Sequence, residues 1–111
     1  MGDRAVIIYG LRNCDTCRKA LKALPQAQLV DVRADGVSSE VLETALAQFG
    51  GALVNTRSTT WRGLSAAERE GDPLALLKQL PALMKRPLIA VGNRLFLGWT
   101  NEIRNDVEAA L

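Results

Sequence analysis

The sequence predicts an α/β domain, with a mixed central sheet flanked by helices and a run of helices inserted before the last two strands. Three observations carry this. Short apolar runs alternate with segments of helical periodicity. Near the C-terminus two apolar runs are joined through Gly92-Asn93, a hairpin signal. The only two cysteines of the chain, Cys14 and Cys17, stand where the first apolar run gives way to the first helix.

The elements follow in order. Ala5-Val6-Ile7-Ile8-Tyr9-Gly10 is apolar at consecutive positions, as in a strand buried on both faces, with Tyr9 in the core. Asp15 to Leu24 reads as a helix with Ala20, Leu21 and Leu24 on one side and Arg18, Lys19 and Lys22 on the other; Pro25 stops it. Gln28 to Arg33 alternates apolar and polar residues as a strand does, and Ala34-Asp35-Gly36 is a turn. Ser38 or Ser39 caps a helix through about Phe49, with Val41, Leu42, Ala45, Leu46 and Phe49 on one face, ended by Gly50-Gly51. Leu53 to Arg62 is less regular and rich in hydroxyls. Ser65-Ala66-Ala67-Glu68 is a capping box. Asp72-Pro73 opens another helix, with Leu74, Leu77 and Leu80 along its core face. Leu88 to Val91 and Leu95 to Leu97 are the hairpin strands. Thr100 caps a last helix carrying Ile103, Val107 and Leu111 at helical spacing. This order is that of a thioredoxin-like sheet with a helical insert.

A chain of 111 residues predicts a single domain over 1–111 with a core of its own. The content of hydrophobic residues (48%) and charged residues (23%) is ordinary for a globular protein, and a net charge of +2 predicts neither nucleic-acid nor membrane binding. No apolar stretch is long enough to cross a bilayer, and Asp3 and Arg4 precede only a short apolar run, unlike a leader. A cytoplasmic monomer is expected, and in that compartment thiols are kept reduced. A cycling or sensing cysteine pair is therefore favoured over a structural disulfide. No Gly-rich phosphate loop is present. With no His in the chain, a Ser-His-Asp set in its usual form is excluded. No bound cofactor or metal is expected.

Cys14-Asp15-Thr16-Cys17 at a strand-to-helix junction is the pattern of a thioredoxin-like redox site. A helix start presents unpaired N–H groups and the positive end of the macrodipole, and both favour a thiolate. Cys17, one turn on, is placed to resolve a mixed disulfide on Cys14. A closed zinc site needs four Cys or His ligands, and the chain offers two. Mere packing would suit Cys17, but Cys14 falls at the mouth of the helix. Asn13 is a candidate N-cap, and Thr16 a second hydrogen-bonding residue there. Asp15 suits the macrodipole while opposing a neighbouring thiolate. Trp61 and Trp99 read as packing residues.

The segments Tyr9-Gly10-Leu11-Arg12-Asn13-Cys14-Asp15-Thr16-Cys17-Arg18-Lys19-Ala20, Asn55-Thr56-Arg57-Ser58-Thr59-Thr60-Trp61 and Lys85-Arg86-Pro87-Leu88-Ile89 together resemble the ArsC-like family. That family holds glutaredoxin-dependent arsenate reductases, Spx redox regulators and YffB-type proteins. The middle segment resembles the YffB and Spx pattern around Arg57 more than the arsenate reductase pattern, and points most strongly to YffB. The resemblance puts the nucleophile on Cys14, a basic residue one turn on at Arg18, and an arginine before a cis proline at Arg86 and Pro87. Two departures separate the chain from the arsenate reductases. They carry a His four residues before the nucleophile, here Gly10, and they lack a second cysteine at the position of Cys17.

Arg12, Arg18, Arg57 and Arg86 are candidates for an anion site around Cys14, because Arg binds carboxylates and oxyanions bidentately and glutathione carries two carboxylates. The resemblance implies a thiol-disulfide oxidoreductase with glutathione or another small thiol or disulfide as substrate, and glutaredoxin as a partner. The alternatives are an Spx-like redox sensor binding RNA polymerase, which the C-x-x-C supports, and an arsenate reductase, which Gly10 opposes.

Overall fold

Strand, helix, strand, a run of helices, hairpin and helix follow one another in the computed structural model, which describes residues 5–111. The leader reading at Asp3 and Arg4 lies outside those residues. The described chain divides into two compact units, one built from 5–31 with 86–111 and one from 32–85.

The first unit holds the sheet. Its strands are β1 (Val6–Gly10), β2 (Gln28–Asp31), β3 (Leu88–Val91) and β4 (Arg94–Leu97), in the order β2-β1-β3-β4. β2 runs parallel to β1, while β3 is antiparallel to both β1 and β4, so the sheet is mixed. Helices α1 (Asp15–Ala23) and α7 (Asn101–Ala110) complete the unit. Val6 and Ile8 of β1, Ala20 and Leu24 of the α1 segment, Ile89, Val91, Phe96, Val107 and Ala110 form one buried cluster. A strand's side chains alternate, so Val6 and Ile8 face this cluster while Ile7 and Tyr9 point the other way and stay half-buried. Ile7 and Tyr9 are thus less enclosed than a strand buried on both faces would have them.

The register decides where the chemistry lies. Tyr9 pairs with Leu88 and Val6 with Val91. The residues just before β3, Arg86 and Pro87, are therefore carried to the end of β1 from which the Cys14 loop departs.

The second unit is helical. It contains α2 (Val32–Asp35), α3 (Ser39–Phe49), α4 (Thr59–Arg62), α5 (Ala66–Arg69) and α6 (Pro73–Gln79), with 3-10 turns at Gly50–Leu53 and Pro81–Leu83. Capping follows the sequence closely. Ser38 accepts from Val41 N–H, and Asp72 from Ala75 N–H. Ser65 and Glu68 form the reciprocal capping box. An isolated antiparallel bridge, Val54 to Met84, ties the unit's two flanks.

Three local expectations need correction. The strand read over Gln28 to Arg33 stops at Asp31, because its partner β1 ends at Gly10, opposite Asp31. With no further ladder to join, residues 32–35 coil into α2, where a turn was expected, and Gly36 follows with φ 71°. Leu111 does not join the core face of the last helix: α7 ends at Ala110, which is buried, and Leu111 is 38% exposed.

Candidate active site

The loop Leu11 to Asn13 links β1 to α1, and its turn is closed by Cys14 N–H donating to Leu11 C=O at 3.1 Å. Cys14 itself is the N-cap of α1, with extended backbone, and its carbonyl accepts from Arg18 N–H at 3.0 Å. The expected cap, Asn13, is instead an exposed loop residue. The helix start has no side-chain cap in the strict sense. The Cys17 N–H nonetheless faces Cys14 Sγ and favours its ionised form.

Both cysteines are free thiols, yet their surroundings differ. Cys14 is half-buried, and burial by itself opposes its ionisation. Hydrogen bonds from the Cys17 N–H and thiol and from Arg86, with the charge of the Arg86 guanidinium, outweigh that cost and hold Cys14 below the usual thiol range. Cys17 is 1% exposed. Burial, reinforced by the Cys14 sulfur beside it, pushes its thiol up to about 11, against the opposing Leu11 N–H and Arg86. Cys14 is thus the more readily ionised thiol of the pair, and Cys17 the one that stays protonated to higher pH.

Space for Cys17 is made by Gly10. A Cβ built on Gly10 collides with Cys17 Sγ and lies 3.2 Å from Cys17 Cβ. The two departures noted in the sequence are one structural fact: a His at position 10 would occupy the place that the Cys17 sulfur fills.

Arg86 and Pro87 lie across from this pair. The bond between them is cis, as the resemblance implies. The Pro87 carbonyl accepts from Gly98 N–H at 2.8 Å, so that oxygen is already engaged by the sheet. Arg86 reaches Cys14 with its side chain, and its Nε is buried. Arg12 and Arg18 are exposed and line a cavity of about 320 Å³ whose apolar walls are Cys17, Leu21 and Leu29. Arg18 also pairs with Asp15 at 3.4 Å, a solvated contact worth little. Of the residues singled out in the sequence, the first unit thus gathers Cys14, Cys17, Arg12, Arg18, Arg86 and Pro87. Sequence reasoning missed the apolar wall, Leu21 and Leu29, and the Leu11 N–H.

Arg57 belongs to the second unit, where it is exposed and its N–H donates to Asn55 Oδ1 at 3.1 Å. Its neighbours have local work: Ser58 Oγ donates to Asn55 C=O at 2.8 Å and accepts from Trp61 N–H, capping α4. Turn chemistry accounts for Asn55 and Ser58 in that motif. Among the described residues no group of three or more His, Cys, Asp or Glu is placed to hold a metal ion. Nor is any helix among them long and apolar enough to cross a membrane.

Known proteins share the sequence and fold of this chain. An uncharacterized protein of Haemophilus influenzae is 38% identical over 106 residues, covering 87% of this chain and 93% of that protein. The solved structure of a YffB protein superposes with a TM-score of 0.82 at 28% identity, over 96% of this chain and 99% of that one. An arsenate reductase related protein from Brucella melitensis gives a TM-score of 0.70 at 27% identity, over 100% and 99%. The thioredoxin-like fold expected from the sequence is the fold of these structures. A family model described as the ArsC family matches residues 9–106, and the chain belongs to that family.

Proposed function

We propose that the protein is a glutathione-linked thiol-disulfide oxidoreductase, with Cys14 as nucleophile and Cys17 as resolving thiol. The observation that carries the reading is the asymmetry of the pair, a lowered Cys14 beside Arg86 and a raised, buried Cys17. Cys14 thiolate attacks one sulfur of a substrate disulfide. The Cys14–substrate bond forms, the substrate's S–S bond breaks, and the second half leaves as thiolate. Cys17 then gives up its proton to the departing thiolate and attacks Cys14 Sγ, releasing the first half and closing Cys14–Cys17. Two electrons pass from the dithiol to the substrate. Two glutathione molecules return them and leave as glutathione disulfide; alternatively glutathione itself resolves the adduct on Cys14. Arg86, with Arg12 and Arg18 as further candidates, supplies cationic forks for the carboxylates of such a partner. The reading places the protein in the cytoplasm as a monomer served by glutathione or glutaredoxin.

A second reading, arsenate reduction, is supported by Arg86 beside Cys14 and by the relationship to the Brucella melitensis protein. Gly10 opposes it. Turnover of a small disulfide and of arsenate with glutathione, with and without glutaredoxin, tests both readings. Cys14→Ser should abolish disulfide turnover, and Cys17→Ser should trap a mixed disulfide on Cys14. Arg86→Ala should weaken glutathione binding about tenfold or more, the scale of a hydrogen bond to a charged group. Alkylation at mildly acidic pH should label Cys14 first. Labelling of Cys17 first overturns the assignment of roles, and RNA polymerase binding without turnover replaces the catalyst by a sensor.

A further inference from the structure

Around α1, Lys19 stands about 200° from Cys17, on the side turned away from the redox pair. Lys19, Lys22 and Ala23 of α1, Trp99 after β4 and Arg104 of α7 line a second cavity of the first unit, of about 390 Å³. No residue of this cavity belongs to the thiol site.

Three cations face it. Among the described residues neither Lys19 nor Lys22 has an ion-pair partner, and Arg104 meets only Glu108, at 3.7 Å with both side chains half exposed. The cavity therefore keeps an excess of positive charge. Trp99 packs in part on the buried cluster, stays half-buried, and gives the cavity an aromatic wall with the small Ala23 beside it. Lysines act as point charges toward phosphate, and an aromatic side chain is a platform on which any base stacks. Charge alone would suit an inorganic anion, but the aromatic wall adds a planar group to the requirement. The volume is that of a pocket for one small molecule, not of a groove for a protein segment. We propose that this cavity binds a mononucleotide, its ring against Trp99 and its phosphates held by Lys19, Lys22 and Arg104.

The chain has two tryptophans, so Trp61→Phe leaves Trp99 as the single indole reporter. Titration of this variant with ADP should quench Trp99 emission saturably at submillimolar concentration. Adenosine and inorganic phosphate, each carrying half of the recognition, should bind at least about tenfold more weakly. The double variant Lys19→Glu, Lys22→Glu should lose ADP binding by at least about tenfold while its thiol-disulfide turnover is unchanged. Equilibrium dialysis of ADP against the wild-type protein gives the same reading should Trp61→Phe fold poorly. Absence of saturable ADP binding in dialysis overturns the proposal. So does ADP binding that survives the charge reversal, or a preference for an acidic peptide over ADP.

Discussion

Cys14 and Cys17 show how little a residue's type says without its surroundings. They are chemically identical and within one turn of each other, yet one is held below the usual thiol range and the other is pushed up to about 11. The sequence made the direction for Cys14 legible, since an N-terminal helix position favours a thiolate. It did not reveal that Arg86 supplies part of the effect, or that Gly10 is what admits the Cys17 sulfur. Gly10 and Cys17 were visible only as separate departures from the arsenate reductases, because a spacing shows no volume. The contact makes a prediction. Gly10→Ala forces the Cys17 sulfur aside and should destabilise the protein by about 1–3 kcal/mol, the range for overpacking a core. In a Cys17→Ala background the sulfur is gone, and the same substitution should cost distinctly less. Urea unfolding of the two single variants and the double variant measures the coupling. Strictly additive effects would show that Gly10 and Cys17 do not compete for space.

At the scale of elements, helix starts were far easier to read than ends. Ser65, Asp72 and Thr100 read as caps from their residue type and position, as does Ser38 with Ser39 as the alternative, and each of Ser38, Ser65, Asp72 and Thr100 accepts the N–H three residues on. A cap is a local interaction, so local sequence carries it. The end of β2 at Asp31 is not local: it is set by the length of β1, its partner. The α7 terminus shows the same limit, since helical spacing alone extended the core face to Leu111. Thr100 offers the cleanest test of a cap's worth. Its Oγ1 accepts from Ile103 N–H at 3.1 Å, and the helix it starts brings Val107 and Ala110 into the buried cluster. Thr100→Ala should cost about 0.5–2 kcal/mol, with Thr100→Ser close to wild type. Equal loss in both variants would assign the effect to the threonine methyl and not to the hydrogen bond.

At the scale of the whole chain, the site is a product of topology. Residues 32–85 separate Arg86 from the cysteine loop in sequence, and only the antiparallel register Tyr9 to Leu88 returns it there. Periodicity and spacing contain no such information, so a bare reading of residues left Arg86 as one basic residue among fourteen. The family resemblance singled it out, and the sheet order explains why. The resulting pair of thiols links the site to folding through pH. Cys14 has a folded-state pKa below the unfolded value of about 8.5, so its contribution to stability is present above that pH and fades as pH falls through the folded value. Cys17 has the opposite sign. Its folded value of about 11 lies above the unfolded one, so its contribution is complete below about pH 8.5 and is lost as pH rises toward 11. Tyr9, also raised by burial, adds an alkaline loss of its own, but that loss is common to wild type and to a cysteine variant. Urea unfolding under reducing conditions should therefore show the stability difference between wild type and Cys17→Ser shrinking in the wild type's disfavour above about pH 8.5. The change should be on the order of 1–3 kcal/mol by pH 11. Below pH 8.5 the difference between wild type and Cys14→Ser should grow in the wild type's favour as pH rises. A constant wild type–Cys17→Ser difference across the alkaline window would mean that Cys17 ionises as easily in the folded chain as in the unfolded one, and the account of Cys17 as a thiol kept protonated by burial would be lost with it.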